Sequence, residues 1–206
     1  MPQKQPVKGA KFVLFGIGRE NDACYLDLWR DAPLTYTPGQ LIDSTWHTDH
    51  HQEIITSNAT AEQFERAGNL LFRYQFYPLS LMHHVSDFSQ ENRYMHLGDR
   101  IVQRIHIFHV FGFPLFDAMT MNEVAAVIDE PRRKGFTYAT TAAHVELGEW
   151  SAQVEWRDDG ALVLTIDAIS RLAYHLPEFM TARARKLQLR AHDQGMEAFK
   201  KAVLES

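Results

Sequence analysis

The sequence predicts an α+β fold in which a curled antiparallel sheet faces one long C-terminal helix. Three observations carry this. From Asp99 to Arg171 apolar residues recur largely with a period of two, the spacing of half-buried strands. Within that region Trp150–Trp156 and Leu162–Ala168 alternate on either side of Asp158-Asp159-Gly160, a hairpin turn signal. Beyond Pro177 the period becomes helical and stays so to Leu204. Runs of strands flanked by helices indicate α+β. A meander curled around a terminal helix encloses a space between the two.

The elements follow in order. "FVLFGIG" (Phe12–Gly18) and "ACYLDLW" (Ala23–Trp29) are rich in strand formers and read as strands. "APLTYTPGQ" holds two prolines and a Pro-Gly pair and reads as a loop. "HHQEIITSN" reads as a short strand. The first clear helix runs from Ala59 to Gln75, with Asn58 or Thr60 as its cap and Gln63 completing a capping box. Phe64, Ala67, Leu71 and Tyr74 make its apolar stripe, and Pro78 ends it. "LSLMHHVSDF" reads as a short second helix. Strands follow in "DRIVQRIHIF", "AMTMNEVAAVIDE", "GFTYATT" and the two arms of the hairpin. On the last helix the apolar stripe reads Met180, Ala184, Leu187, Ala191, Gly195, Ala198, Ala202, with Arg183, Arg185, Lys186 and Arg190 in water. Gly195 would mark a bend or a close contact.

Size and composition fit a single domain over residues 1–206, with residues 1–50 as N-terminal strands and loops and 51–206 as the core. The hydrophobic share of 45% is ordinary for a globular chain and supports a sizeable core. A formal net charge of -5 without a basic run excludes the usual footprint of a nucleic-acid binder. No apolar stretch reaches the length of a membrane span, and the N-terminus is not a signal peptide, so no stable membrane insertion and a cytoplasmic location are expected. Cys24 is the one cysteine, which rules out an intramolecular disulfide and a cysteine-based zinc site. It reads as a small core residue of a strand.

The stretch Arg132–Arg171 resembles the uncharacterised family known as domain of unknown function nineteen-ninety. The resemblance rests on Arg132, Gly135, Phe136, Tyr138, Thr140, His144, Gly148, Glu149, Ala168, Ser170 and Arg171. The helix from Ala59 and the Pro78 region extend it over about residues 57–204. Ala139, Trp150 and Leu172 depart from the family's usual glycine, glutamate and proline. The element order is similar to the START-like, birch-pollen-allergen-like helix-grip fold, so the resemblance implies that fold. It also implies an apolar molecule held between sheet and helix. That second implication is an analogy of fold.

The candidate site residues divide by type. Phe136, Tyr138 and Thr140 share one face of a strand, and with Trp150 and Trp156 could line a cavity or simply fill the core. Arg132, His144, Glu149 and Arg171 are candidate polar anchors at its mouth. His144 and Glu149 could serve as base and orienter, or could form a local network that fixes the hairpin. "STWHTDHHQE" gathers His47, Asp49, His50 and His51, all potential metal ligands, but no metal site is expected there. No phosphate-cradling glycine loop and no serine nucleophile elbow appear, and no cofactor is expected. Three readings remain open: a binding module for a small apolar or amphipathic molecule, a cyclase- or hydrolase-like enzyme using His144 and Glu149, and a structural protein with a filled core. Catalytic residues, ligand identity and oligomeric state are not assigned by the sequence.

Overall fold

The computed structural model describes residues 9–14, 22–110, 113–173 and 178–205. Helix α1 (Cys24–Leu28) follows strand β1 (Lys11–Leu14), and β2 (His47–Thr56) precedes α2 (Ala61–Phe72). Next come β3 (Met82–Ser86) and the short α3 (Asp87–Gln90). Five strands run consecutively: β4 (Arg100–Val110), β5 (Phe113–Glu130), β6 (Arg133–Thr140), β7 (Glu146–Trp156) and β8 (Leu162–Leu172). The chain then forms α4 (Glu178–Leu204). All strand pairs are antiparallel, in the order β2-β8-β7-β6-β5-β4-β3, with β1 pairing the first part of β5. Bulges interrupt the β4–β5 and β5–β6 ladders. Such insertions bend strands and raise local twist, so the sheet curls. The fold is the helix-grip α+β arrangement, a curved sheet closed over by α2 and α4.

Local chemistry sets the boundaries. Thr60 caps α2 in a full capping box: its Oγ1 accepts from the Gln63 N–H at 3.2 Å, and the Thr60 N–H donates to Gln63 Oε1 at 3.0 Å. That helix ends at Phe72, before the expected Gln75, because Tyr74 takes a left-handed φ of 57°. Its ring is buried and its hydroxyl accepts from Gln103, so tertiary contacts hold a conformation that a tyrosine alone disfavours. Gly160, at φ 89°, makes the β7–β8 turn as its sequence predicts.

Two short elements differ from expectation. Ala23–Trp29 forms the helix α1, not a strand, and Cys24 is exposed on it instead of sitting in the core. Five residues are too few to separate period two from helical period, and the burial of Tyr25, Leu26 and Trp29 decides the outcome. Conversely, Met82–Ser86 of the expected short helix is the edge strand β3, with only Asp87–Gln90 helical. Ser86 caps that turn by accepting from the Ser89 N–H at 3.1 Å. The expected strand Phe12–Gly18 is described only as far as Leu14, and Pro177 lies outside the described residues.

The two faces of the sheet carry separate cores. On the inner face, under α2 and α4, lie Phe64, Leu71, Phe76, Phe136, Trp150 and Phe199. Fully burying such side chains contributes roughly 1.5–3 kcal/mol each. On the outer face α1 sets Tyr25, Leu26 and Trp29 against Val102, Met119 and Met121. Arg104 ties this outer layer down: its Nε donates to Asp22 at 2.9 Å and its Nη1 to Asp117 at 3.2 Å. No helix among the described residues is long and apolar enough to cross a membrane.

Candidate functional site

The inward stripe of α4 is Arg185, Gln188, His192, Gly195, Phe199 and Val203, not the small-residue stripe expected from the sequence. Of that expected stripe Gly195 alone is buried among the described side chains. A β-carbon there would overlap the Phe76 ring, so the expected close contact is present. The true stripe is apolar at its C-terminal end and polar at its N-terminal end. Arg185 and Phe199 stand about 20 Å apart along the axis at 1.5 Å per residue.

Under Phe199 the space is filled by rings. Phe76 lies 5.6 Å from Phe199 and 5.3 Å from Trp150, centroid to centroid. Trp150 stacks on Tyr138 at 5.4 Å and meets Phe136 at 5.7 Å. Phe136, Tyr138 and Trp150 are all buried, so three of the expected lining residues converge. Trp156 lies further along β7, 5.8 Å from Phe64.

Under the N-terminal half of α4 the inner surface is polar. Alternation along β2 points Asp49, His51 and Glu53 toward the helix and His50 away from it. Arg185 grips both carboxylate oxygens of Asp49. At the other end of the helix, beside Phe199, Lys200 pairs with Glu53 at 2.5 Å. Gln188 donates to Ser170 Oγ at 3.0 Å and lies 3.5 Å from a Glu146 carboxylate oxygen. His51 and His192 meet edge to face at 5.4 Å. Burial pushes the Glu146 carboxyl up to about 7, against the opposing pull of Arg185. It also holds the His192 ring down to about 4, hence neutral. Burial also raises the Tyr77 and Tyr138 hydroxyls, Tyr138 to about 12. Among the described residues the buried His51 Nε2, His192 Nδ1 and Trp150 Nε1 have no hydrogen-bond partner.

The expected polar anchors do not gather here. Arg132 is at the exposed β5–β6 turn, donating to the carbonyls of Trp156 and Arg157 and to Asp158 at 2.9–3.1 Å. His144 and Glu149 do not pair. The Glu146 N–H donates to His144 Nδ1 at 2.9 Å, and burial holds that imidazole down to about 4, so it is a neutral ring fixing a turn. Glu149 alternates with the inward Trp150 and so faces the other side of the sheet, near Tyr36. Arg171 also lies outward, its guanidinium 4.8 Å over Trp46. Thr140 braces Gly148, which has φ 145°: its Oγ1 accepts from the Gly148 N–H at 2.9 Å. The His47–His51 run is split between two faces, and no group of three or more metal-ligating side chains assembles among the described residues.

Sequence reasoning missed Tyr77, Glu146, Arg185, Gln188 and His192. A usable signal existed: stepping back from Phe199 and Val203 at helical spacing reaches His192, Gln188 and Arg185. Arg185 read as solvated because its partner Asp49 lies on a strand 136 residues away.

A groove of about 410 Å³ lies on the surface of α2, lined by Glu62, Arg66 and Arg73 among others, apart from this site. Among solved structures the chain is similar to a hypothetical protein of Helicobacter pylori at 14% identity, covering 82% of this chain and 90% of that one, with a TM-score of 0.48. It is similar to the major latex-like protein 151 of Panax ginseng at 12% identity, with 79% and 100% coverage and a TM-score of 0.48. The allergen Ara h 8.0201 gives 12% identity, 78% and 99% coverage and a TM-score of 0.46. No curated protein matches the chain. The model of a family described as "Domain of unknown function (DUF1990)" matches residues 32–198. That match spans most of the 206 residues and includes strands β2–β8 and the polar half of α4, and the chain belongs to this family.

Proposed function

We propose that this protein is a binding module for a small amphipathic molecule held between the sheet and α4. The polar end of the ligand sits among His51, Glu146, Gln188 and His192, and its apolar part lies against Tyr77, Tyr138 and Trp150. The carrying observation is the set of buried polar atoms without a partner among the described residues: His51 Nε2, His192 Nδ1 and Trp150 Nε1. Each unmade hydrogen bond costs about 1–3 kcal/mol in a buried place. Further such atoms occur on Trp29, Asn122, Trp156 and Arg171, but His51 and His192 face each other at 5.4 Å, so one bound group can complete both. The side chains there are mixed, aromatic rings beside a few polar groups, which is the composition usual for a small-molecule site.

The catalytic reading through His144 and Glu149 draws no support from the geometry. The two point to different surroundings, and His144 Nδ1 is engaged by backbone. Native mass spectrometry of the protein purified from its own source tests the binding reading. The expected result is one small molecule per chain, lost on Gln188→Trp. A wild-type mass equal to that of the bare chain, under conditions that preserve the fold, contradicts it.

A further inference from the structure

We infer that the N-terminal half of α4 is an acid-released lid: protonation of the His51–His192 pair lifts it from the sheet while the C-terminal half stays anchored. The inference concerns the helix itself and stands whether or not a ligand lies beneath it. Burial is divided unevenly along α4. Phe199 and Val203 are fully buried at the C-terminal end, and the Phe76 ring fills the place a side chain would take at Gly195. Toward the N-terminus His192 is the last buried residue, and none of the described side chains of α4 before it is buried. Those earlier turns meet the sheet through polar groups: Arg185 on both oxygens of Asp49, and Gln188 on Ser170 Oγ at 3.0 Å. A segment with few buried apolar contacts is the first to open. Gly195 supplies a pivot, since glycine is among the weakest helix formers.

The histidine pair is built for the neutral state. The two rings meet edge to face with centroids 5.4 Å apart, and His51 Nε2 and His192 Nδ1 are buried without a hydrogen-bond partner. A protonated ring carries an N–H at both nitrogens and needs an acceptor for each. The carboxylate at hand, Asp49, is already held by Arg185, so an added proton puts a second cation beside a satisfied ion pair. A buried charge left unpaired is costly, and lifting the helix returns it to water. The charged and titratable groups around the pair are Asp49 of β2, and Arg185 and Asp193 of α4. Glu53 and Lys200 pair further along the helix, Glu146 of β7 lies 3.5 Å from Gln188, and β8 offers the neutral Ser170. Burial holds the His192 ring down to about 4 against an ordinary 6.5, so the closed helix refuses a proton that the open helix takes. The lid is therefore shut above about 6.5 and loosens as pH falls toward about 4.

Hydrogen exchange of the full chain, read peptide by peptide by mass spectrometry, tests the inference. Protection at 182–191, corrected for the intrinsic pH dependence of exchange, should fall about tenfold per pH unit between about pH 6 and about pH 4.5. Protection at 196–204 and in β7 and β8 should stay level over that range. His192→Gln keeps a polar side chain that takes no proton, and should hold 182–191 level as well; protected β7 and β8 amides show that the variant is folded. If it does not fold, the two halves of wild-type α4 still serve as each other's control. Loss of protection in both halves together means global acid unfolding and overturns the lid. Protection at 182–191 that ignores pH overturns it too, as does a folded His192→Gln variant that keeps the wild-type pH dependence.

Discussion

The two ends of the space beneath α4 have opposite characters. Under Phe199 the ring of Phe76 packs at 5.6 Å, within the apolar cluster that also holds Phe64, Leu71 and Val203. Under Arg185, Gln188 and His192 the same sheet presents Asp49, His51, Glu146 and Ser170. One helix therefore joins a hydrophobic anchor to a polar contact surface. On the proposed binding reading, stability resides mainly at the first end and ligand contacts at the second, and substitutions should separate the two.

The largest effect belongs to the anchor. Phe199→Ala should lower the unfolding free energy by about 3–5 kcal/mol, measured by denaturant titration, since Phe199 is fully buried against Phe76. Arg185→Ala should cost less, about 2–3 kcal/mol, because it strands the buried Asp49 carboxylate while the guanidinium itself is partly solvated. Adding Asp49→Asn should recover part of that loss. A double variant no more stable than Arg185→Ala breaks the view that the pair is mutually neutralising.

A pH series sharpens the comparison further. His84, His144 and His192 are each held down to about 4 by burial, against an ordinary 6.5. Unfolded, they bind protons that the folded protein refuses. Their stabilising contribution is therefore full above about 6.5 and is lost as pH falls toward about 4. Glu146 has the opposite sign. Held up to about 7 from 4.5, it favours the fold below about 4.5, and that contribution is lost as pH rises through about 7. Acid unfolding should thus take up roughly two net protons in the window between, and roughly three in Glu146→Gln. Potentiometric or pH-dependent denaturation data read this slope. The same variant should be about 1–2 kcal/mol more stable than wild type near pH 8, the smallest of these changes. A lower stability there would mean that Glu146 already has a cation.

Much of the fold was legible because its signals are local. The period-two strands β4–β8, the Thr60–Gln63 capping box and the Gly160 turn need no distant partner to be read. The short elements α1 and β3 were misread because burial against the sheet, not their five residues of pattern, determines them. Within the candidate site Phe136, Tyr138 and Trp150 were legible as alternating strand residues. Glu149 drew attention from its Gly-Glu neighbour motif, yet strict alternation through Gly148 leaves Glu146, three residues earlier, on the α4 side of the sheet. Arg185 was assigned to water for a physical reason. A cation on a helix is usually solvated, and its partner Asp49 lies 136 residues away in sequence.

The central claim, that binding and stability occupy different ends of one helix, is tested most directly by a paired titration. The affinity for the co-purifying molecule would be measured for Gln188→Trp and Phe199→Ala beside wild type. The account predicts that Gln188→Trp abolishes binding with little loss of stability, while Phe199→Ala loses about 3–5 kcal/mol of stability and still binds. Binding retained by Gln188→Trp but lost in folded Phe199→Ala would contradict it.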